Sequence, residues 1–247
     1  MNILLTGSSG RIGQELVGVL RTKGHSVRTL GRDSEENQCH DSKWTLGLSP
    51  NPIVFEDIDI LIHLAWITDS RMPSAQHINV GGSSKLIESA LRAKVKTVFI
   101  SSFAANNPKS DYGAAKYMVE KVNHSGINIR VPLVVDSIVQ QNGKNSRGFI
   151  SIRFFPSARS LSVDIASLRE VCIGIESSLV SEDVLISLNS KKISLTDYIN
   201  IYLGLRAFEI KLSYINWVMS FLARSKSAKS TMIRDRWVSL ISSSEVS

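Results

Sequence analysis

Asn2-Ile3-Leu4-Leu5-Thr6-Gly7-Ser8-Ser9-Gly10-Arg11-Ile12-Gly13 is the stretch that decides the fold. Asn2–Thr6 is a short apolar run of strand length, and apolar positions three and four apart take over across Arg11–Lys23, so a glycine-rich turn joins a strand to a helix. In that setting Gly7 permits the tight turn, Gly10 lets the backbone approach a pyrophosphate, and Gly13 lets the helix pack close to the sheet. The helix N-terminus then faces the anion. Gly7, Ser8, Ser9, Gly10, Arg11, Ile12 and Gly13 are therefore candidate dinucleotide-binding residues.

Outward from this turn the same grammar repeats. Ser26–Leu30, Ile58–Leu64, Thr97–Ser101 and Ile127–Val131 are apolar and largely β-branched, and Ser74–Ala93 and Tyr112–His124 have helical spacing long enough to cross over a parallel sheet. The expectation is an α/β chain: a Rossmann doubly wound parallel sheet over residues 1–135, with a small C-terminal substrate-side region over 136–247 completing the same fold. Beyond Gly148 the pattern weakens. Phe149–Phe155 reads as a strand, Val163–Ile175 and Leu195–Leu203 as helices, and Gln140–Arg147 as an exposed loop. No internal repeat is visible.

Composition bounds the function. The 247 residues carry 43% hydrophobic content, enough for a full core, and a formal charge of +7. Much of the excess is late, at Arg224, Lys226, Lys229, Arg234 and Arg236, with no RRM, KH or zinc-finger pattern, so no nucleic-acid partner is expected. Cys39 and Cys172 are too few for a disulfide framework and have no metal-ligand spacing, which points to a reducing compartment and no metal. The N-terminus has no basic region before its apolar run, and Tyr214–Ala223 is too short to span a bilayer; a cytoplasmic protein without a transmembrane segment is expected.

The turn has the spacing TGxxGxxG, and in this it resembles the short-chain dehydrogenase/reductase superfamily. Three further stretches agree in order and context: Ile62-His63-Leu64-Ala65 resembles an "HLA" signature, Asn79-Val80-Gly81-Gly82 an "N-V-x-G" segment, and Tyr112-Gly113-Ala114-Ala115-Lys116 is a YxxxK motif that follows the strand end Ile100-Ser101-Ser102. Arg159–Ala166 and Ile193–Ile199 are similar to later segments of the extended, epimerase/dehydratase branch. The resemblance implies an NAD(P)-binding enzyme acting on a nucleotide-linked sugar, with Leu64 and Ala65 lining the adenine and ribose side of the cofactor. It also implies a homodimer through a four-helix contact of Ser74–Ala93 and Tyr112–His124.

The residue types suit that chemistry. Tyr and Lys four positions apart lie on one helix face, so the ammonium is expected to depress the Tyr112 phenol and make it an acid or base near neutrality. By resemblance Lys116 also holds the nicotinamide ribose, and Ser102, with Ser101 as fallback, orients the substrate oxygen. Gly31 stands where an NAD-preferring enzyme places an acid, and Arg32 follows it, which favours NADP; Asp33, one step on, could still reach the ribose. Arg147, Arg153 and Arg159 are candidates for a diphosphate, and Trp66 and Thr68 for the border of the cleft.

Departures narrow the reaction. Val131, Pro132, Val135 and Asp136 match an "RPxxVYG" segment only in part, and the Ser102–Tyr112 interval is short. Phe103-Ala104 stand where sugar-nucleotide 4,6-dehydratases carry Asp-Glu, which leaves epimerisation or net oxidation and reduction. Two other functions remain open: an NAD(P)-binding sensor or scaffold, and a peripheral protein docking its basic C-terminal segment on anionic lipid.

Overall fold

The computed structural model describes residues 1–32, 41–68, 74–135, 154–155, 162–194, 198 and 208–209. It divides the chain into two compact units, Met1–Val131 with Leu168–Asn189, and Pro132–Ser167 with Ser190–Ser247. The first unit thus takes back Leu168–Asn189, a return that the expected split near residue 135 does not contain.

The strands and helices of the first unit are β1 (Asn2–Thr6), α1 (Arg11–Thr22), β2 (Ser26–Gly31), β3 (Ser42–Lys43), β4 (Ile60–His63), α2 (Ala75–Arg92), β5 (Lys96–Ser102), α3 (Asp111–Val122) and β6 (Ile127–Val131). After an excursion into the second unit, α4 (Leu168–Ser178) and β10 (Leu185–Ser187) complete it. All seven strands are parallel, in the order β10-β6-β5-β4-β1-β2-β3. This is the doubly wound Rossmann sheet expected from the sequence. Its central strands are buried on both faces: Ile3, Leu4 and Leu5 in β1 and Leu61 and Ile62 in β4 have no exposed surface. Continuous apolar runs, rather than alternation, are what a strand covered by helices on both sides requires.

The strand order reverses beside β1. The chain runs outward through β2 and β3, then crosses back to place β4 on the other side of β1, so the turn after β1 opens at the topological switch point, where such sheets bind ligands. Beneath it Leu4, Leu30, Trp44, Val54, Phe55, Leu61, Leu86, Ala90 and Val95 form one core cluster. At the opposite end of the sheet the Lys96 ammonium donates to the carbonyls of Leu179 (3.0 Å) and Ser181 (3.1 Å), tying the segment after α4 to the start of β5.

In the second unit β7 (Leu133–Val135) pairs in parallel with β9 (Ser162–Ser167), which pairs antiparallel with β11 (Lys191–Ser194). A separate two-residue pairing joins β8 (Phe154–Phe155) to β12 (Phe208–Glu209). The helix expected over Val163–Ile175 is therefore corrected: its first part is strand β9, and the helix starts only at Leu168. Ser162-Val163-Asp164-Ile165 alternates polar and apolar residues, a period of two that fits a strand, and β9 has partners on both edges. Of the expected strand Phe149–Phe155 only Phe154–Phe155 is described; Gln140–Arg147, Tyr214–Ala223 and most of Leu195–Leu203 lie outside the described residues.

Glycine positions in α1 separate packing from propensity. A Cβ on Gly13 would collide with the Gly7 carbonyl oxygen and lie 2.7 Å from Ser8 Cα, whereas one on Gly18 would meet nothing within 4 Å. Gly13→Ala is expected to lower the melting temperature, by the equivalent of about 1–3 kcal/mol of overpacking. Gly18→Ala is expected to raise it, by the equivalent of about 0.5–1 kcal/mol of helix propensity. Thermal melts of the two variants check this, and shifts of the same sign would contradict it.

Candidate active site

The carboxyl ends of β1, β4 and β5 converge on one edge of the sheet. The turn after β1 is built by backbone alone: Gly7, at φ +75°, accepts from Gly10 N (3.1 Å), and Gly10 O accepts from Gln14 N (2.9 Å) as α1 begins. Gly7 lies so close to the chain leaving β4 that a Cβ there would stand 2.7 Å from Ala65 N. The Thr6 hydroxyl accepts from Ala65 N at 3.3 Å, fixing the same approach. Leu64 and Ala65 are half-buried along this edge, and Ser9, Gly10 and Arg11 are exposed beside it.

This turn fits an anionic group. No side chain caps α1, no acid stands in its first turn, and a Cβ at Gly10 would meet only the Gly7 oxygen within 4 Å, so the outer side of Gly10 is clear. A helix N-terminus in that state attracts a phosphate. A Cβ on Gly13 would strike the Gly7–Ser8 backbone, so its absence lets the first turn of α1 lie close against the chain leaving β1. Arg32 is exposed just past β2; Asp33 lies outside the described residues, as do Arg147, Arg153 and Arg159.

His63, inside the "HLA" stretch, is turned inward. It is fully buried, with Nδ1 at 2.7 Å from the Thr6 hydroxyl and Nε2 at 2.8 Å from the Ser83 hydroxyl. Burial first, then the nearby Lys116 charge, lowers its pKa to about 3, so the ring is neutral. One ring nitrogen donates and the other accepts, and two hydroxyls satisfy either tautomer. Asn79, also fully buried, accepts from Ile67 N (2.7 Å) and donates to Ile67 O (2.9 Å), pinning the chain after β4 to α2.

The Ser102, Tyr112 and Lys116 side chains come together at the end of β5. The Ser102 oxygen accepts from Ala104 N at 3.3 Å, at the start of the 3₁₀ turn Phe103–Ala105, and its side chain lies near enough to Tyr112 to influence the phenol. Ser110 caps α3 by accepting from Gly113 N (3.1 Å), and Gly113 lets that first turn lie against Ala104, where a Cβ would come 3.0 Å from its carbonyl carbon. These contacts close the short interval between Ser102 and Tyr112. Ser101 is oriented differently: its hydroxyl donates to Glu120 Oε1 at 2.5 Å. Glu120 in turn takes a two-point contact from Arg130, at 2.9 and 2.7 Å, and Arg130 also donates to Asn106 Oδ1 at 2.6 Å. Nothing in the sequence reading singled out this buried network; its trace was Glu120 four residues after Lys116, one turn further along the same helix.

Lys116 is only 4% exposed. Its Nζ donates to Ile100 O at 2.8 Å and lies 3.8 Å from the Trp66 ring centroid, 4.7 Å from that of Phe99 and 5.9 Å from that of Tyr112. Burial lowers its pKa to about 7, against the opposing charge of Glu120. Tyr112 departs from expectation: the residue is 38% exposed, but the partial burial of its phenol raises the pKa above the ordinary value, and the neighbouring Ser102 side chain opposes the rise. The expected depression of Tyr112 by Lys116 is thus corrected for the chain alone: desolvation of the phenol outweighs any lowering.

With this geometry in place, comparison with known proteins is decisive for the family. The model of the NAD dependent epimerase/dehydratase family matches residues 3–126, half of the chain. The chain belongs to that family. A dTDP-6-deoxy-L-talose 4-dehydrogenase (NAD(+)) of Aggregatibacter actinomycetemcomitans is 26% identical over 139 residues, which are 47% of this chain and 52% of that protein. Epimerase family protein YfhF of Bacillus subtilis (strain 168) is 37% identical over 68 residues, 26% of this chain and 22% of that protein. The chain therefore matches about half or less of the length of these relatives. Among solved structures, MoeE5 in complex with UDP-glucuronic acid and NAD aligns with a TM-score of 0.66 at 19% identity, over 85% of each chain, and shares the fold. Among the described residues there is no group of three metal-ligating side chains and no helix long and apolar enough to cross a membrane.

The lowered Lys116 pKa has a stability consequence. Between about pH 7 and the ordinary lysine value of 10.5 the unfolded chain holds a proton that the folded chain has released, so stability from this group rises with pH across that window and is lowest below it. Lys116→Met, which removes the buried amine, is expected to raise the melting temperature by ~4 °C at pH 6 and by clearly less at pH 10. Calorimetric scans at the two pH values check this, and an equal gain at both would contradict it.

Proposed function

We propose that this chain is an NAD(P)-dependent oxidoreductase or epimerase that acts on a nucleotide-linked sugar in surface polysaccharide biosynthesis, with Ser102, Tyr112 and Lys116 as its catalytic triad. The observation that carries the reading is the placing of Lys116 Nζ, bonded to Ile100 O at 2.8 Å and 5.9 Å from the Tyr112 ring centroid, beside Ser102 at the sheet end that also holds the clear glycine turn. A nicotinamide dinucleotide would supply the hydride acceptor or donor. Gly7–Gly13 would hold its pyrophosphate, Leu64 and Ala65 would border its adenosine half, and Arg32 favours a 2′-phosphate there.

The protein groups divide the remaining work. Ser102, whose oxygen already accepts from Ala104 N, keeps its proton to donate, toward Tyr112 or a sugar oxygen. Tyr112 takes the proton of a sugar hydroxyl during oxidation and returns it during reduction. Lys116 recovers its charge beside an anionic ligand, and that charge then favours the phenolate by Coulomb attraction. Ala104 backs the turn where a dehydratase has an acid, so no side chain there assists loss of water, and epimerisation or net redox change is favoured. The cytoplasm suits this chemistry and the buried thiol of Cys172, and exposed Tyr117 and Met118 on α3 support the expected homodimer through α2 and α3.

One observation favours a second reading, an NAD(P)-binding sensor or scaffold: in the chain alone the phenol is raised and the amine lowered, the reverse of an activated pair. Nicotinamide fluorescence separates the two. Titration with NADH and NADPH, repeated with UDP-, GDP- and dTDP-sugars, is expected to show binding and a sugar-dependent redox change. In Tyr112→Phe binding should persist while turnover falls by about 10²–10⁴-fold. Binding without turnover across the panel would favour the scaffold, and absence of dinucleotide binding would overturn both.

A further inference from the structure

The chain leaving β4 continues Leu64-Ala65-Trp66, and Trp66 occupies an unusual position. On one side its ring packs on the cluster of Ile87, Phe99 and Val119, bridging α2, β5 and α3. On the other it meets both members of the Tyr-Lys pair: Lys116 Nζ lies 3.8 Å from its ring centroid, and the Tyr112 ring stands at 84° to it with centroids 6.1 Å apart. Its indole N–H is buried and has no hydrogen-bond partner among the described residues. A phenylalanine would fill similar space without that unsatisfied donor, so the indole is not explained by packing alone. What the indole supplies best is a strongly electron-rich face, the preferred seat for an ammonium withdrawn from water.

We propose that Trp66 is a positioning residue for the Tyr112–Lys116 pair, its indole face holding the Lys116 ammonium toward Ile100 O while its ring fixes the Tyr112 ring at right angles. The use of this contact rests on the function proposed above; the contact itself does not. The titratable and charged groups around Lys116 are Tyr112 and Glu120 on α3, His63 at the end of β4, and Arg130 on β6, which is paired with Glu120. His63 is neutral and Glu120 is shared with Arg130 and Ser101, so the non-titrating groups that favour the charged amine are Ile100 O and the faces of Trp66 and Phe99, of which Trp66 is the nearer ring.

The test reads the amine directly. In free protein carrying ¹³C-labelled lysine, the Lys116 signal is identified by its loss in Lys116→Met, and its titration midpoint is followed in three proteins. Trp66→Leu is expected to lower the midpoint by about one pH unit, a tenfold change in the charged-to-neutral ratio. Trp66→Phe, which keeps a weaker π-face, should lower it by less than half as much. If Trp66→Leu does not fold, protein made with mono-, di- and trifluorinated tryptophan keeps the shape and weakens the face stepwise, and the midpoint should fall with each fluorine. In NADH titrations the Leu variant should lose affinity relative to wild type more at pH 8 than at pH 5, with Phe rescuing most of the loss. A midpoint unmoved by Trp66→Leu or by fluorination, or moved equally by Phe and Leu, overturns the positioning role. A midpoint that shifts as expected in a protein that binds no dinucleotide overturns the proposed function and leaves the Trp66–Lys116 contact standing.

Discussion

The Lys116 ammonium is the constraint around which the site is organised. It is out of water, and desolvating a charge is costly unless other groups replace the lost hydration. One carbonyl, Ile100 O, and the faces of Trp66 and Phe99 provide what replacement there is. That arrangement fixes the end of β5, the chain after β4 and the first turns of α3 relative to one another, because each contributes a wall of the same small enclosure. Ser102 and Tyr112 are placed by the same elements, so the geometry of the proposed triad and the desolvation of the lysine have one origin. Functional sites commonly combine local destabilisation with a surrounding core rigid enough to tolerate it.

The surrounding polar groups divide into two sets. Thr6, His63, Ser83 and Asn79 are satisfied internally and hold β1, β4 and α2 in register near the turn. Ser101, Glu120, Arg130 and Asn106 do the same for β5, α3 and β6. Between them lies the surface formed by Gly7–Gly13, Leu64, Ala65 and Ser102, where backbone rather than charged side chains predominates.

Much of this was legible in the sequence, for identifiable reasons. Apolar runs at β1, β4 and β5 announce strands buried on both faces, and Gly7, Gly10 and Gly13 announce the turn, because backbone requirements leave few residue choices. The i, i+4 spacing of Tyr112 and Lys116 likewise survives any local detail. What was not legible depends on side-chain direction. Ser101 and Ser102 are chemically equal in sequence, and only the pleat of β5 sends one to Glu120 and the other to Tyr112. The pKa order of Tyr112 and Lys116 depends on burial, which spacing does not report. Val163–Ile175 was misread because its apolar positions suit both a strand and a helix over short windows, and the strand is decided by β7 and β11, far away in sequence.

The return of Leu168–Asn189 to the first unit shapes how the protein is made. β6 has only β5 as a neighbour until β10 emerges, and the Asn128–Val184 contact that seals this edge spans 56 positions. During synthesis the growing sheet therefore presents an unpaired, apolar strand edge while the second unit's first strands are still being added. Edges of this kind recruit other chains, and closing them over a long intervening stretch is slow. Pairing β6 with β10 is therefore a long-range closure set by connectivity rather than by local sequence.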